Sequence, residues 1–325
     1  MGENNANTGK FEDYILAHPF VGEPGNLYEA MNYIMQLGGK RVRPQLLLLA
    51  YQSVAGTLNE DVMKLALAVE TFHNFSLVHD DIMDNAPVRR GQPAVHEKWD
   101  MGTAILVGDN LLIKCYDLIL KTGLNNRELL LGTFTEMAAQ VCEGQQMDMN
   151  LPEQVGISDA DYLKMIQLKT AVLPAAALKM GALAAGCAAE LAEYFYQFGL
   201  NLGMAFQLQD DYLDCFGSSA ETGKQEGGDI LENKKTLLYL YALTHLNKAS
   251  VEELSNWYKG RVQDLQMKIS RVRTLFTEAG SDVYLLQLKA EYEQKALVFL
   301  DKACSEGHAR AQMMQLFDFL KARKV

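Results

Sequence analysis

Glu70-Thr71-Phe72-His73-Asn74-Phe75-Ser76-Leu77-Val78-His79-Asp80-Asp81-Ile82-Met83-Asp84 is the stretch from which the rest of the chain is read. It completes an apolar run over 62–79, in which Leu65, Leu67, Ala68, Phe72, Phe75 and Leu77 recur at helical spacing. The predicted helix therefore ends in three aspartates. Residues i and i+4 share a helical face, so Asp80 and Asp84 point the same way, with Asp81 about a quarter-turn aside. Carboxylates gathered beside apolar surface repel one another and are costly to desolvate unless a cation lies between them. A second such group, Asp210-Asp211-Tyr212-Leu213-Asp214, follows the apolar segment Met204-Ala205-Phe206-Gln207-Leu208. One DDxxD pattern is unremarkable, whereas two, each ending an apolar helix, point to metal. Magnesium typically takes one or two carboxylates, keeps several waters and completes its shell with substrate phosphates. The two clusters predict an all-helical, magnesium-dependent enzyme that handles diphosphates.

Working outward, helical periodicity recurs at 104–120, 127–149, 159–173 and 189–216, and strand signals are nearly absent. Breaks fall at Gly56, 87–93, 123–126, 152–156 and 217–228. With no Pro/Ser-rich linker and no repeat, residues 11–325 read as one helical domain behind a disordered polar tail at 1–10. The apolar stretch 171–192 contains Pro174, Lys179 and Glu190, and reads as a buried helix pair rather than a membrane span. The opening MGENNANTGK lacks the apolar core of a signal peptide, and Ala6 breaks the myristoylation pattern. Cys115, Cys142, Cys187, Cys215 and Cys304 form no CxxC pair and read as reduced thiols of a cytoplasmic protein.

The formal net charge of −11 argues against a nucleic-acid partner. It also requires local cations if the substrate is anionic. Gly38-Gly39-Lys40-Arg41-Val42-Arg43-Pro44 sets three cations beside two glycines, which let a backbone approach an anion closely. The bland alternative is a basic helix start. Arg89-Arg90-Gly91, Lys224 and Lys234-Lys235 add charge in loops that follow the two acidic clusters, and singly each reads as a solvated loop. His73 stands seven residues before Asp80, near its helical face, and Gln207 three before Asp210. A satisfied core histidine is the plain alternative for His73. No GxSxG elbow, Walker lysine loop, HExxH or dinucleotide fingerprint is present.

Assembled, these residues resemble the trans-isoprenyl diphosphate synthases of the polyprenyl synthetase family. The resemblance rests on GGKRVRP at 38–44, ETFHNFSLVHDDIMD at 70–84, RRGQPAVH at 89–96, GD at 108–109, GQ at 144–145, KTA at 169–171, FQLQDDYLD at 206–214 and GK at 223–224. It implies a bundle of roughly antiparallel helices around a deep central cavity, the isoprenoid synthase fold. Asp80, Asp84 and Asp210 would ligate magnesium (three ions per site, with Mn2+ able to substitute), supported by Asp81, Asp211 and Asp214. Arg89, Lys169, Gln207, Lys224 and Lys234 would contact the allylic substrate or its diphosphate, with Lys169 and Thr170 near the reacting carbons. Lys40, Arg43, His73 and Arg90 would hold isopentenyl diphosphate. The implied activity is head-to-tail condensation of isopentenyl diphosphate with dimethylallyl, geranyl or farnesyl diphosphate by a homodimer without membrane insertion.

The family sets product length with the residues four and five before the first motif, here Ser76 and Phe75. One aromatic with no insertion in the motif resembles makers of the C20 geranylgeranyl product; the C15 farnesyl product is the alternative. A class I terpene cyclase would carry an Asn/Ser/Glu motif in place of the second DDxxD and would lack GGKRxRP. A regulatory subunit would have lost aspartates or the basic motif. An acidic helical scaffold would leave the matched cations unexplained. The basic end Lys321-Ala322-Arg323-Lys324 reads as a solvated helix terminus.

Overall fold

The computed structural model describes residues 4–154, 156–217, 226–259, 264–304 and 306–321, with side chains from residue 9. Nearly all regular structure among them is helical. In chain order the helices are α1 (Asn4–Ala17), α2 (Gly25–Gln36), α3 (Val42–Ala55), α4 (Glu60–Met83), α5 (Val95–Lys98), α6 (Met101–Leu120), α7 (Arg127–Asn150) and α8 (Asp159–Ile166). A π-helical turn (Gln167–Ala171) leads into α9 (Val172–Ala184), followed by α10 (Ala189–Phe216), α11 (Gly228–Leu231), α12 (Leu237–His245), α13 (Lys248–Trp257), α14 (Leu265–Ala279), α15 (Ser281–Ala303) and α16 (His308–Lys321). The strands among the described residues are β1 (Val88–Arg89) and β2 (Gln92–Pro93), a two-residue hairpin pairing Val88 with Pro93 and Arg89 with Gln92.

Local chemistry accounts for the helix starts. The Asn59 side chain accepts the Val62 N–H at 2.9 Å, with Glu60 and Asp61 in the first turn of α4. Asp100 caps α6 through Thr103, and Asp264 caps α14 through Met267. Ser158 and Asp161 form a reciprocal capping box on α8.

One expectation changes here. The stretch 1–10, read as a disordered tail, is helical from Asn4. Phe11, Tyr14 and Ile15 are buried on one face, Tyr14 Oη donates to Glu60 at 2.7 Å, and no proline stops the helix from extending back. Contacts gather in one compact unit of Met1–Thr135, Ala177–Glu193 and Glu306–Gln312, and another of Glu136–Ala176, Tyr194–Ser305 and Met313–Val325. Each unit draws on three separate stretches of chain, so no linker composition could mark a boundary.

In the first unit α4 packs chiefly on α6, with Leu65, Phe72, Val107 and Leu111 fully buried. In the second, Tyr162, Met165, Leu208, Leu237, Val272 and Leu285 belong to one apolar cluster. No helix among the described residues is long and apolar enough to cross a membrane.

Candidate active site

The first acidic cluster sits where a helix disfavours it. Asp80 and Asp81 lie in the last turn of α4 and Asp84 is its C-cap. The macrodipole is negative there, so the carboxylates add like charge to like. One is compensated from within. Asp81 is 1 % exposed, and the Arg89 fork grips it, with Nε donating to Oδ1 at 2.9 Å and a second guanidinium nitrogen donating to the same oxygen. The hairpin β1–β2 delivers that fork, since Arg89 ends β1. Asp80 is half-buried and Asp84 exposed.

The basic motif of the same unit separates into three roles. Arg41 adopts a left-handed backbone (φ 45°) and turns inward. Its guanidinium donates to Glu12 at 2.8 Å, to the buried Glu70 at 2.6 Å and to the Met35 carbonyl at 2.7 Å. Arg41 therefore ties the loop to the core, a role that the spacing of the motif does not reveal. Arg43 faces His73 at 3.2 Å. Burial and the charges of Arg43, Arg90 and Arg89 hold His73 well below the usual imidazole range, so it stands neutral and accepts from Arg43. Arg90 donates to the Gly38 carbonyl, and its guanidinium lies where a side chain on Gly39 (φ 139°) would stand. Glycine is required at 39 for both reasons. Arg43, His73 and Arg90 thus converge, with the exposed Lys40 on the same loop.

The second unit holds a cavity of about 240 Å³. Asp148, Asp210, Asp211, Asp214, Asp229 and Glu232 line it together with Lys169, Lys234 and Lys235. Leu151, Met165 and Ile166 supply apolar wall. Its central carboxylate, Asp211, is 3 % exposed and accepts from Tyr162 Oη at 2.6 Å and Gln207 Nε2 at 2.9 Å. Those donors are neutral. Burial, then the charge of Asp229, pushes the Asp211 carboxyl up to about 8. Burial likewise raises Asp229, against the pull of Lys234 at 3.2 Å. Asp214 accepts the Asp229 N–H at 2.7 Å, tying α10 to the start of α11.

Lys169 and Thr170 ride on the π-helical turn, where the sequence predicts unbroken helix. Lys169 pairs with Asp148, and Thr170 donates to Gln207 at 3.1 Å. Two glycines let neighbouring helices approach this turn closely. A Cβ on Gly144 would lie 2.2 Å from the Lys169 nitrogen, and one on Gly203 would lie 2.7 Å from the Ala171 Cα. Bare backbone from α7 and α10 therefore presses on the turn, and π turns of this kind often mark functional sites. Tyr162, Asp148 and Asp229 are participants that the motifs do not single out. Tyr162 stands 49 positions from Asp211, a pairing that only tertiary packing reveals. Lys224 lies outside the described residues.

The donor set is carboxylate oxygen, which suits a hard cation. Among the described residues no three Asp, Glu, His or Cys side chains converge as a ready-made cage. The carboxylates on the cavity wall, with lysines beside them, fit an ion that shares one or two protein oxygens and finds its remaining ligands on phosphate and water.

An all-helical chain with two aspartate clusters on helix ends, each with its own cations, is of the class that handles diphosphates with divalent metal. Comparison with known proteins agrees. The polyprenyl synthetase family pattern matches residues 24–275. A geranylgeranyl diphosphate synthase of Methanosarcina mazei is 37 % identical over 308 residues, covering 94 % of this chain and 92 % of its own. A geranylfarnesyl diphosphate synthase of Natronomonas pharaonis is 39 % identical over 320 residues, covering 93 % and 92 %. A crystal structure of a geranylgeranyl pyrophosphate synthase superposes with a TM-score of 0.93 at 39 % identity, covering all of both chains. The chain belongs to the polyprenyl synthetase family and, with it, to the prenyltransferases of the all-α isoprenoid synthase fold. Its substrates are isoprenoid diphosphates and it requires a divalent metal.

Proposed function

We propose that the enzyme joins isopentenyl diphosphate head-to-tail to dimethylallyl, geranyl or farnesyl diphosphate, and releases all-trans geranylgeranyl diphosphate (C20). The observation that carries this reading is the presence of two unlike anion-handling groups: Arg43, His73 and Arg90 in one unit, and the acidic, lysine-bearing cavity in the other. A cyclase or a phosphatase needs only one.

Magnesium is the proposed ion, three per site, held by Asp80, Asp84 and Asp210 with Asp81, Asp211 and Asp214 in support. When bound, it neutralises charge developing on the allylic diphosphate. Lys169 and Lys234 face that diphosphate as point charges, and Lys224, outside the described residues, is proposed to contact the same substrate. Arg89 orients Asp81 through its fork and lends the first cluster positive charge. Gln207 holds both Thr170 and Asp211, which fixes Thr170 near the carbons that react. Arg43, Arg90 and Lys40 receive the diphosphate of isopentenyl diphosphate, and His73, being neutral, adds a hydrogen bond without competing charge. The C–O bond of the allylic substrate breaks, the double bond of isopentenyl diphosphate attacks the allylic cation, and a proton leaves to the released diphosphate. No protein nucleophile is needed. The apolar wall at Leu151, Met165 and Ile166 excludes the water that would quench the cation.

Phe75 and Ser76 are proposed to set chain length. Phe75 is buried against Phe72 (ring centroids 5.2 Å apart) and His79 (5.0 Å), so it is a rigid stop rather than a mobile one. A homodimer is proposed from the face of α6, where Ile105, Leu106, Ile113 and Leu120 are exposed, with Leu129 of α7 beyond. The enzyme is proposed to work in the cytoplasm. Incubation with magnesium, isopentenyl diphosphate and each allylic primer, followed by sizing of the products, tests the assignment. C20 alcohol after dephosphorylation supports it, and C15 alone moves the assignment to a farnesyl diphosphate synthase.

A further inference from the structure

Lys268 is a lysine where burial disfavours one. It lies on α14, 2 % exposed, and burial pulls its ammonium below the usual lysine range. Among the described residues no carboxylate lies within ion-pair distance of it. Its Nζ donates instead to Asn233 Oδ1 at 2.5 Å and lies 5.6 Å from the Tyr258 ring centroid. Tyr258 in turn stacks on Tyr239 at 4.2 Å, which closes the far side.

Asn233 is itself unusual. It is one of four non-glycine residues with positive φ among the described residues, at 58°. Asparagine tolerates that left-handed conformation better than most side chains, but still at some cost. The turn reverses the chain after α11. The Asn233 N–H donates to Ile230 at 3.2 Å and the Lys234 N–H to the Asp229 carbonyl at 2.9 Å. The result aims Lys234 back over its own helix, with Nζ 3.2 Å from Asp229 and 3.0 Å from Glu232 at the cavity wall.

We propose that Lys268 is a positioning residue for the diphosphate end of the site: its ammonium clamps the Asn233 side chain, holds the left-handed turn, and so fixes where Lys234 presents its charge. A hydrophobic residue would fill the space at 268 more cheaply but could not grip an amide oxygen. The inference rests on the reading that Lys234 meets the allylic diphosphate.

The test measures KM for the allylic and the isopentenyl substrates separately. Lys268→Met raises the allylic KM about tenfold, in line with losses on removing an outer-shell partner, and leaves the isopentenyl KM within about twofold. Lys268→Arg, which keeps a donor, retains most of the wild-type affinity. Asn233→Gly in the Lys268→Met background restores part of the allylic KM, because glycine holds φ 58° without a clamp. In a double-mutant cycle, Lys234→Ala costs less in the Lys268→Met protein than in the wild type. Additive losses, equal rises in both KM values or no rescue by glycine overturn the proposal. If Lys268→Met does not fold, Asn233→Ala, which removes the gripped oxygen, carries the same cycle with Lys234→Ala, and additivity there overturns it. An unchanged allylic KM in Lys234→Ala alone instead overturns the underlying assignment of Lys234.

Discussion

The two aspartate clusters share a sequence pattern and differ in how their charge is balanced. Both end long apolar helices, where the macrodipole opposes carboxylates. At the first, the buried Asp81 is answered by the Arg89 fork, and burial together with the surrounding arginines holds His73 neutral. At the second, the buried Asp211 is answered by a phenol and an amide, and its carboxyl is pushed up to about 8. Both clusters are proposed to hold magnesium, but the first carries an arginine directly on its buried carboxylate, while the buried carboxylate of the second meets neutral donors and has its lysines further along the cavity wall. The same five-letter motif thus serves two electrostatic ends, and its neighbours decide which.

The largest expected effect is loss of either cluster. Asp81→Ala or Asp210→Ala lowers condensation by about 1000-fold or more, comparable to removing one preorganised charge-stabilising group, with the circular dichroism spectrum unchanged. Near-wild-type turnover in either variant sinks the assignment. Next, the asymmetry itself can be broken. Tyr162→Phe strips one donor from Asp211 and raises the magnesium concentration for half-maximal rate about tenfold. Arg89→Lys keeps the charge but loses the fork, and lowers kcat a few-fold with the magnesium dependence nearly fixed. If the two substitutions shift the magnesium curve equally, the clusters are equivalent and the contrast fails. The smallest effect in rate is Phe75→Ala, which lengthens the product by at least one isoprene unit. The emptied space also destabilises the fold by about 3 kcal/mol, so products are sized where the variant remains folded. An unchanged product distribution removes Phe75 as the stop.

The helices at 62–79, 104–120, 127–149, 159–173 and 189–216 were legible because their apolar residues repeat at helical spacing, and Gly56 marked the end of α3. What escaped depends on contacts between distant residues. The start of α1 is held by burial of Phe11 and Tyr14. The π turn lies against Gly144 and Gly203, whose lack of side chains reads only as flexibility until the facing backbone is seen. The division into two units leaves no trace in composition. At the site, the aspartates and most of the basic residues stood out by type and spacing. Asp148, Tyr162 and Asp229 did not, since each is ordinary in its own segment and gains its role from a partner 15 to 49 positions away. Arg41 shows the converse: it shares the basic motif with Lys40 and Arg43, and packing makes it a tie to Glu12 and Glu70. Product length stays with individual side chains, since relatives named for geranylgeranyl and geranylfarnesyl products are 37 % and 39 % identical to the chain.

The most direct test is to supply labelled isopentenyl diphosphate with farnesyl diphosphate, with and without magnesium, and to size the labelled products. The account predicts a C20 prenyl diphosphate that forms only with magnesium present and only when both substrates are supplied. Label that stays in isopentenyl diphosphate under all conditions, or conversion of farnesyl diphosphate alone to a hydrocarbon, would contradict it.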